Sequence, residues 1–275
     1  DMVERIRSTC DSVISKDGTI AGYRMEDYNL DNIRCGTLLF DLYARFGEEK
    51  FLLAAHTLEK QLELQPRTLG GGFWHKGIYP HQIWLDGLYM AQPFRCRYGL
   101  YTADDMMLTD VVEQLLSIER KCRDAHTGLL YHAWDEARQQ MWADRDTGCS
   151  PHFWGRAMGW YAMALVDVLE LLPRGFPRSE ELCAVVARLA EAACVWQDDG
   201  GLWHQVLDQG DREGNYLESS CSAMLGYFLV KGNRLGIFGE RQLEAGMHAF
   251  EALVDQKTDV DAKGFLHLHD VCAVA

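Results

Sequence analysis

The sequence is poor in proline, with six in 275 residues, and no apolar run approaches the roughly 20 residues that cross a bilayer. Scarce proline leaves long segments free to be helical, and the missing run predicts no membrane partner. Basic residues are also short: 27 Lys and Arg face 41 Asp and Glu, a net charge of −14. A general nucleic-acid binder needs a basic face, so no nucleic-acid partner is expected. An anionic small substrate stays open. Exposed charges are screened within about 8–10 Å, so one Arg and two His in a pocket can outweigh a distant acidic surface.

The nine cysteines, at 10, 35, 96, 122, 149, 183, 194, 221 and 272, are odd in number and form no C-x-x-C pair. They read as reduced core thiols in a reducing, cytoplasmic compartment, and Cys-ligated zinc lacks its spacing. The H-E-x-x-H, G-x-S-x-G, Walker and dinucleotide patterns are all missing. No metal and no cofactor is expected. Cys149 has His152 nearby in sequence but no orienting signature, which disfavours a thiol hydrolase. The first residues show no signal-peptide n-region and h-region.

What the chain does have is helical periodicity. Apolar spacing predicts helices over 2–15, 30–46, 49–64, 81–99, 104–123, 152–172, 179–197, 219–234 and 239–256. Strand alternation is scarce, and Pro93 alone falls inside a regular stretch. The reading is all-α and single-domain over 1–275. Between the helices a phrase recurs: "GGFWHK" at 71–76, "GLLYHAWD" at 128–135, "GLWHQVLD" at 201–208 and "GFLHLHD" at 264–270, with "DGTIAGYR" at 17–24 as a degenerate copy. Aligned on Trp74, Tyr131, Trp203 and Leu266, the copies lie 57, 72 and 63 residues apart, about two helices each. Helix pairs that repeat form a solenoid or close into a ring. Repeated His, Trp and Tyr in the loops favour a ring whose loops converge on one pocket.

Asp86, in "YPHQIWLDGLYMAQPF", is an acid among apolar neighbours. Pro80 suits a first helical turn, which places Asp86 in the second, past the capping positions. It is either a solvated or locally paired Asp, or a half-buried one with a raised pKa suited to general acid chemistry. Asp31 is either a helix N-cap or a second carboxylate facing the first. His75 and His132 hold matched places after an aromatic in two repeat loops. In "SPHFWGRAMGWYAMALVD", Trp154, Arg156 and Trp160 lie in the first turns of a helix. They are core tryptophans with a surface Arg, or a platform for a sugar ring with a fork for its carboxylate. Glu218 reads as the start of a helix capped by Ser219 or Ser220.

The segments "GGFWHKGIYPHQIWLDGLYMAQPF", "TGLLYHAWDEARQQMWADRDTGCSPHFWGRAMGWYAMAL" and "GDREGNYLESSCSAM" resemble the unsaturated rhamnogalacturonyl hydrolases of glycoside hydrolase family 105. The resemblance implies an (α/α)6 barrel, a toroid of helical hairpins. Nine predicted helices against twelve make that ring incomplete in this chain, short of N-terminal and C-terminal helices. It also implies a small anionic disaccharide or oligosaccharide substrate bearing a 4,5-unsaturated uronate. C4 is protonated, water adds at C5, and the anomeric carbon is never attacked, so the carboxylate separation that sorts retaining from inverting glycosidases has no bearing. By motif position the resemblance makes Asp86 the general acid and Asp31 its partner carboxylate. His75, His132, Trp154, Arg156 and Trp160 become the substrate pocket. Two other outcomes stay open: an unsaturated glucuronyl hydrolase for glycosaminoglycan or ulvan products, and an inactive sugar-binding toroid.

Overall fold

A computed structural model describes residues 2–273. Among the described residues, nine helices carry the chain: α1 Met2–Val13, α2 Thr37–Phe46, α3 Glu49–Leu64, α4 Leu85–Thr102, α5 Asp105–Cys122, α6 Gly155–Leu171, α7 Ser179–Val195, α8 Ser219–Arg234 and α9 Glu240–Lys257. Four short strands pair two by two: β1 Gln82–Trp84 with β2 Ala133–Asp135, and β3 Thr258–Val260 with β4 Leu266–Leu268. Each expected helix is there, but three start late. Residues 30–36 form successive 3-10 turns before α2. Residues 82–84 leave the expected helix because they pair with 133–135 in antiparallel register. Trp154 stays extended because it bridges to Val206. No described helix is long and apolar enough to cross a membrane.

The inner layer is α4, α6 and α8, packed side by side. Helices α5, α7 and α9 lie behind them, each returning from the helix before it. The middle helix α6 is the most apolar and is buried on nearly every face, as its place between two partners requires. Tyr161 of α6 is fully buried and donates its hydroxyl to the Leu115 carbonyl of α5 at 2.9 Å. A buried side chain of this size contributes about 1.5–3 kcal/mol. Two large apolar clusters result, one around α4–α8 and one around α2, α3 and α4, with Met90 packing against both; a small third one joins Leu202 to Ala252 and Leu253 of α9.

Helices α1, α3, α5, α7 and α9 each end in the same tight turn. A glycine with positive φ marks it: Gly18 (82°), Gly71 (87°), Gly128 (74°), Gly201 (92°) and Gly264 (83°). Side chains are strained there, which explains the repeated glycine. Ser15, Thr68, Asp124, Asp198 and Asp261 head the turns, each donating its N–H to the carbonyl just past the glycine, at 2.8–3.0 Å. The turn is therefore fivefold, and "DGTIAGYR" shares it although it carries no histidine.

The turn geometry corrects the alignment of the copies. Counted from the left-handed glycine, the equivalent residues are Phe73, Leu130, Trp203 and Leu266. Three of them make the matching bridge, to Arg67, Arg123 and Val260. His75 and His132 remain equivalent. His204 and His267 sit one place earlier in their turns, because two copies carry an extra residue before the histidine. In an extended segment one residue moves a side chain to the opposite face.

Candidate active site

Three backbone hydrogen bonds build the site. The carbonyls of His75, His132 and Gln205 accept the N–H groups of Leu30 (3.1 Å), Leu85 (3.0 Å) and Gly155 (2.8 Å). Each ties a repeat loop to the start of the preceding inner segment. The residues that follow those donors are Asp31, Asp86 and Arg156. These three therefore occupy equivalent positions in successive repeats, at one end of the inner layer. The N-termini of α4 and α6 are held at that end, so partial positive charge gathers there.

Asp86 lies in the first turn of α4, not the second as Pro80 suggested, because β1 delays the helix until Leu85. Its Oδ2 is enclosed by protein and has no hydrogen-bond partner within it. Burial dominates and pushes its pKa up to about 7; the charge of Asp31 adds to the rise. Its own backbone N–H, Arg156 and Lys76 work in the other direction and are outweighed. A carboxyl in this state is shared between acid and base near neutral pH.

Asp31 is not the cap of its turn. Asn29 is, with its Oδ1 accepting the Asp31 N–H at 3.0 Å. The Asp31 carboxylate is left free to meet Lys76 Nζ at 2.7 Å and His75 Nε2 at 3.6 Å. The longer contact is no hydrogen bond, and burial drives the His75 pKa down to about 4. His75 is thus neutral, and the cation beside Asp31 is Lys76. His75 stacks on Trp84 (4.8 Å, 14°), which also stacks on Tyr79 (5.1 Å, 8°). Gly87 makes this closeness possible: a Cβ there would meet His75 Nδ1 and Leu30 Cδ1, each at 3.0 Å.

His132 Nδ1 lies 3.1 Å from the His152 carbonyl and 3.1 Å from Ser150 Oγ. Burial lowers its pKa. A carbonyl only accepts, so Nδ1 carries the hydrogen and Nε2 a lone pair. The ring meets Trp154 edge-on at 6.0 Å. Trp154 stands at the N-cap of α6 rather than inside it, and Arg156 is in the first turn. Trp154 Nε1 and Arg156 Nε and Nη2 are enclosed without a hydrogen-bond partner in the protein. Trp160, one turn on, stacks on Tyr89 of α4 (4.9 Å, 23°). Tyr89 in turn takes a hydrogen bond from Arg34 at 2.7 Å.

Two residues escaped the sequence reading. Lys76 sits within the repeat phrase, but only folding brings it to Asp31. Glu218 is itself the N-cap of α8, correcting the assignment to Ser219 or Ser220. Burial would raise its pKa, but the N–H groups of Cys272, Cys221 and Ser220 outweigh burial and hold it below the ordinary range. This anchored anion lies 3.9 Å from Arg156 Nη2. The signal available was a Glu directly before "SSCS" in a helix-starting context.

Buried polar atoms usually find partners. Here His75 Nδ1, Asp86 Oδ2, Trp154 Nε1 and Arg156 Nε and Nη2 do not, and all belong to the repeat loops or to the helix starts those loops hold. An acid near its midpoint, an enclosed guanidinium and aromatic faces can hold and protonate a polar, anionic molecule. The pattern of Glycosyl Hydrolase Family 88 matches residues 1–275. The "24.9 kDa protein in picA locus" of Rhizobium radiobacter is 39% identical over 190 residues, covering 68% of this chain and 81% of that protein. The unsaturated rhamnogalacturonyl hydrolase YesR of Bacillus subtilis is 30% identical over 213 residues, covering 75% of this chain and 59% of its own length. A solved family 105 glycoside hydrolase of C. acetobutylicum superposes with a TM-score of 0.96 at 42% identity, over 99% of this chain and 76% of that one. The helical toroid architecture follows, and the chain belongs to Glycosyl Hydrolase Family 88 and to the family 105 of its C. acetobutylicum relative, so it is a glycosidase.

Proposed function

We propose that this protein releases a 4,5-unsaturated uronic acid from the non-reducing end of lyase-generated rhamnogalacturonan disaccharides or oligosaccharides. The observation that carries the reading is Asp86, an enclosed carboxyl with a pKa near 7 beside Asp31 and Arg156. Neutral Asp86 gives its proton to C4 of the enol ether. Positive charge then develops at C5, shared with the ring oxygen. Water adds at C5 and its proton returns to the Asp86 carboxylate. The C5 hemiketal opens to a ketone, C1 is left as a hemiacetal, and the neighbouring sugar departs. Water is the only co-reactant.

Arg156 takes the uronate carboxylate in this reading, and Glu218 fixes the guanidinium from behind. Asp31, paired with Lys76, contacts sugar hydroxyls and keeps the Asp86 proton in place by its charge. His75, His132, Trp154 and Trp160 shape the walls. The odd number and wide scatter of the cysteines support a reducing, cytoplasmic setting for this chemistry. The name of the B. subtilis relative supports the rhamnogalacturonyl aglycone.

The test is the loss of ultraviolet absorbance of the conjugated double bond. Unsaturated rhamnogalacturonyl and glucuronyl disaccharides are assayed side by side. Faster loss on the rhamnogalacturonyl substrate is the expected result. A preference for the glucuronyl substrate would overturn the substrate assignment and leave the hydration chemistry.

A further inference from the structure

The three loop residues whose carbonyls hold the inner-segment starts are His75, His132 and Gln205. The first two are pocket histidines in the reading above. Gln205 is the third member of the same structural series, hidden in the sequence because its copy of the repeat places His204 one residue earlier. His204 lies along a groove with Trp196, Asp208 and Gly210, and a Cβ on Gly210 would meet its ring at 3.1 Å. Side chains alternate along an extended segment, so Gln205 is turned the other way.

The chemistry of Gln205 agrees with that placement. Its backbone is fully used: the N–H donates to the Tyr216 carbonyl at 2.9 Å and the carbonyl accepts from Gly155 at 2.8 Å. Its side chain is not, since Oε1 is enclosed with no partner in the protein. The same condition marks Trp154 Nε1 and Arg156 Nε and Nη2, which the bond to Gly155 and the bridge from Trp154 to Val206 place next to it. A buried amide oxygen left unpaired destabilises the fold unless something donates to it.

Building on the uronyl hydration reading, we propose that Gln205 is a substrate-contacting residue that accepts a hydrogen bond from a sugar hydroxyl beside the carboxylate held by Arg156. An uncharged amide suits this place. It recognises a hydroxyl without competing with the uronate for the guanidinium, as a carboxylate would.

The test compares wild type with Gln205→Leu, near in volume and unable to hydrogen-bond, and with Gln205→Asn, whose amide is too short to reach. KM and kcat are read from the absorbance assay on the unsaturated disaccharide, with the melting temperature in parallel. Both variants are expected to raise KM by about tenfold, the loss of one hydrogen bond to a neutral group, while the melting temperature does not fall. A KM within twofold of wild type in either folded variant overturns the proposal, as does a change in melting temperature without one in KM. Calorimetric binding of the disaccharide is measured in Asp86→Asn with and without Gln205→Leu. If wild type binds the sugar without hydrating it, the hydration reading falls, and Gln205 stands or falls on the tenfold loss of affinity. If nothing binds, both fall.

Discussion

Asp86 is held protonated at a cost to the fold. Its folded pKa of about 7 stands above the ordinary 3.8. The folded protein therefore binds this proton more tightly than the unfolded chain does. Stability from this group is greatest below pH ~4, falls as pH rises toward 7, and the full penalty of at most about 4 kcal/mol applies above that. Asp86→Asn removes the penalty. Denaturant melts should find it more stable than wild type at pH 8, with the gap closing toward pH 4; equal stability at pH 8 would show that Asp86 is not desolvated as described. The same ionisation should make kcat/KM fall as pH rises through about 7 in the free enzyme. The greasy neighbours of Asp86 made its burial legible from sequence. Its position in the helix was not legible, since that depends on a strand pairing 49 residues away between Trp84 and Ala133.

At the scale of elements, periodicity located the helices because all but α1 bury an apolar face, and α1 half-buries Ile6 and Cys10. It could not find where three of them begin. Pro80 suggested a start, yet His81 takes a left-handed φ of 64° and the chain turns into β1 first. The junction of β1 and α4 is where Gly87 lets the helix meet the His75 ring. Gly87→Ala gains about 1 kcal/mol of helix propensity and loses about 1–3 kcal/mol to overpacking against His75 and Leu30. Turnover should drop at least tenfold while the melting temperature moves by only a few degrees, because the displaced ring borders Asp31. Ordinary turnover in Gly87→Ala would show that this contact does not position the site.

At the scale of the molecule, a chain of net charge −14 has an end that is not dominated by acids. Lys76 and Arg156 stand there against Asp31 and Glu218, and the N-termini of α4 and α6 add partial positive charge. Arg156→Ala should raise KM by about ten- to hundredfold, the worth of a hydrogen bond to a charged group, with a smaller change in kcat. Arg156→Lys should recover part of it; an unaltered KM in Arg156→Ala would place the uronate elsewhere. The convergence of the loops was legible in the repeated phrase. The equivalence of Asp31, Asp86 and Arg156 was not, because two acids and a base share no residue type and only the backbone bonds to His75, His132 and Gln205 reveal it. Glu218 was missed for the same reason: its partners come from Cys272 and from its own helix start. The most direct test is the rate of absorbance loss for wild type and Asp86→Asn on one unsaturated uronyl disaccharide at pH 6. With Asp86 as the proton donor to C4, the variant should fold, bind the sugar and lose at least about a hundredfold in kcat. A variant that hydrates the double bond within tenfold of wild type would contradict the account.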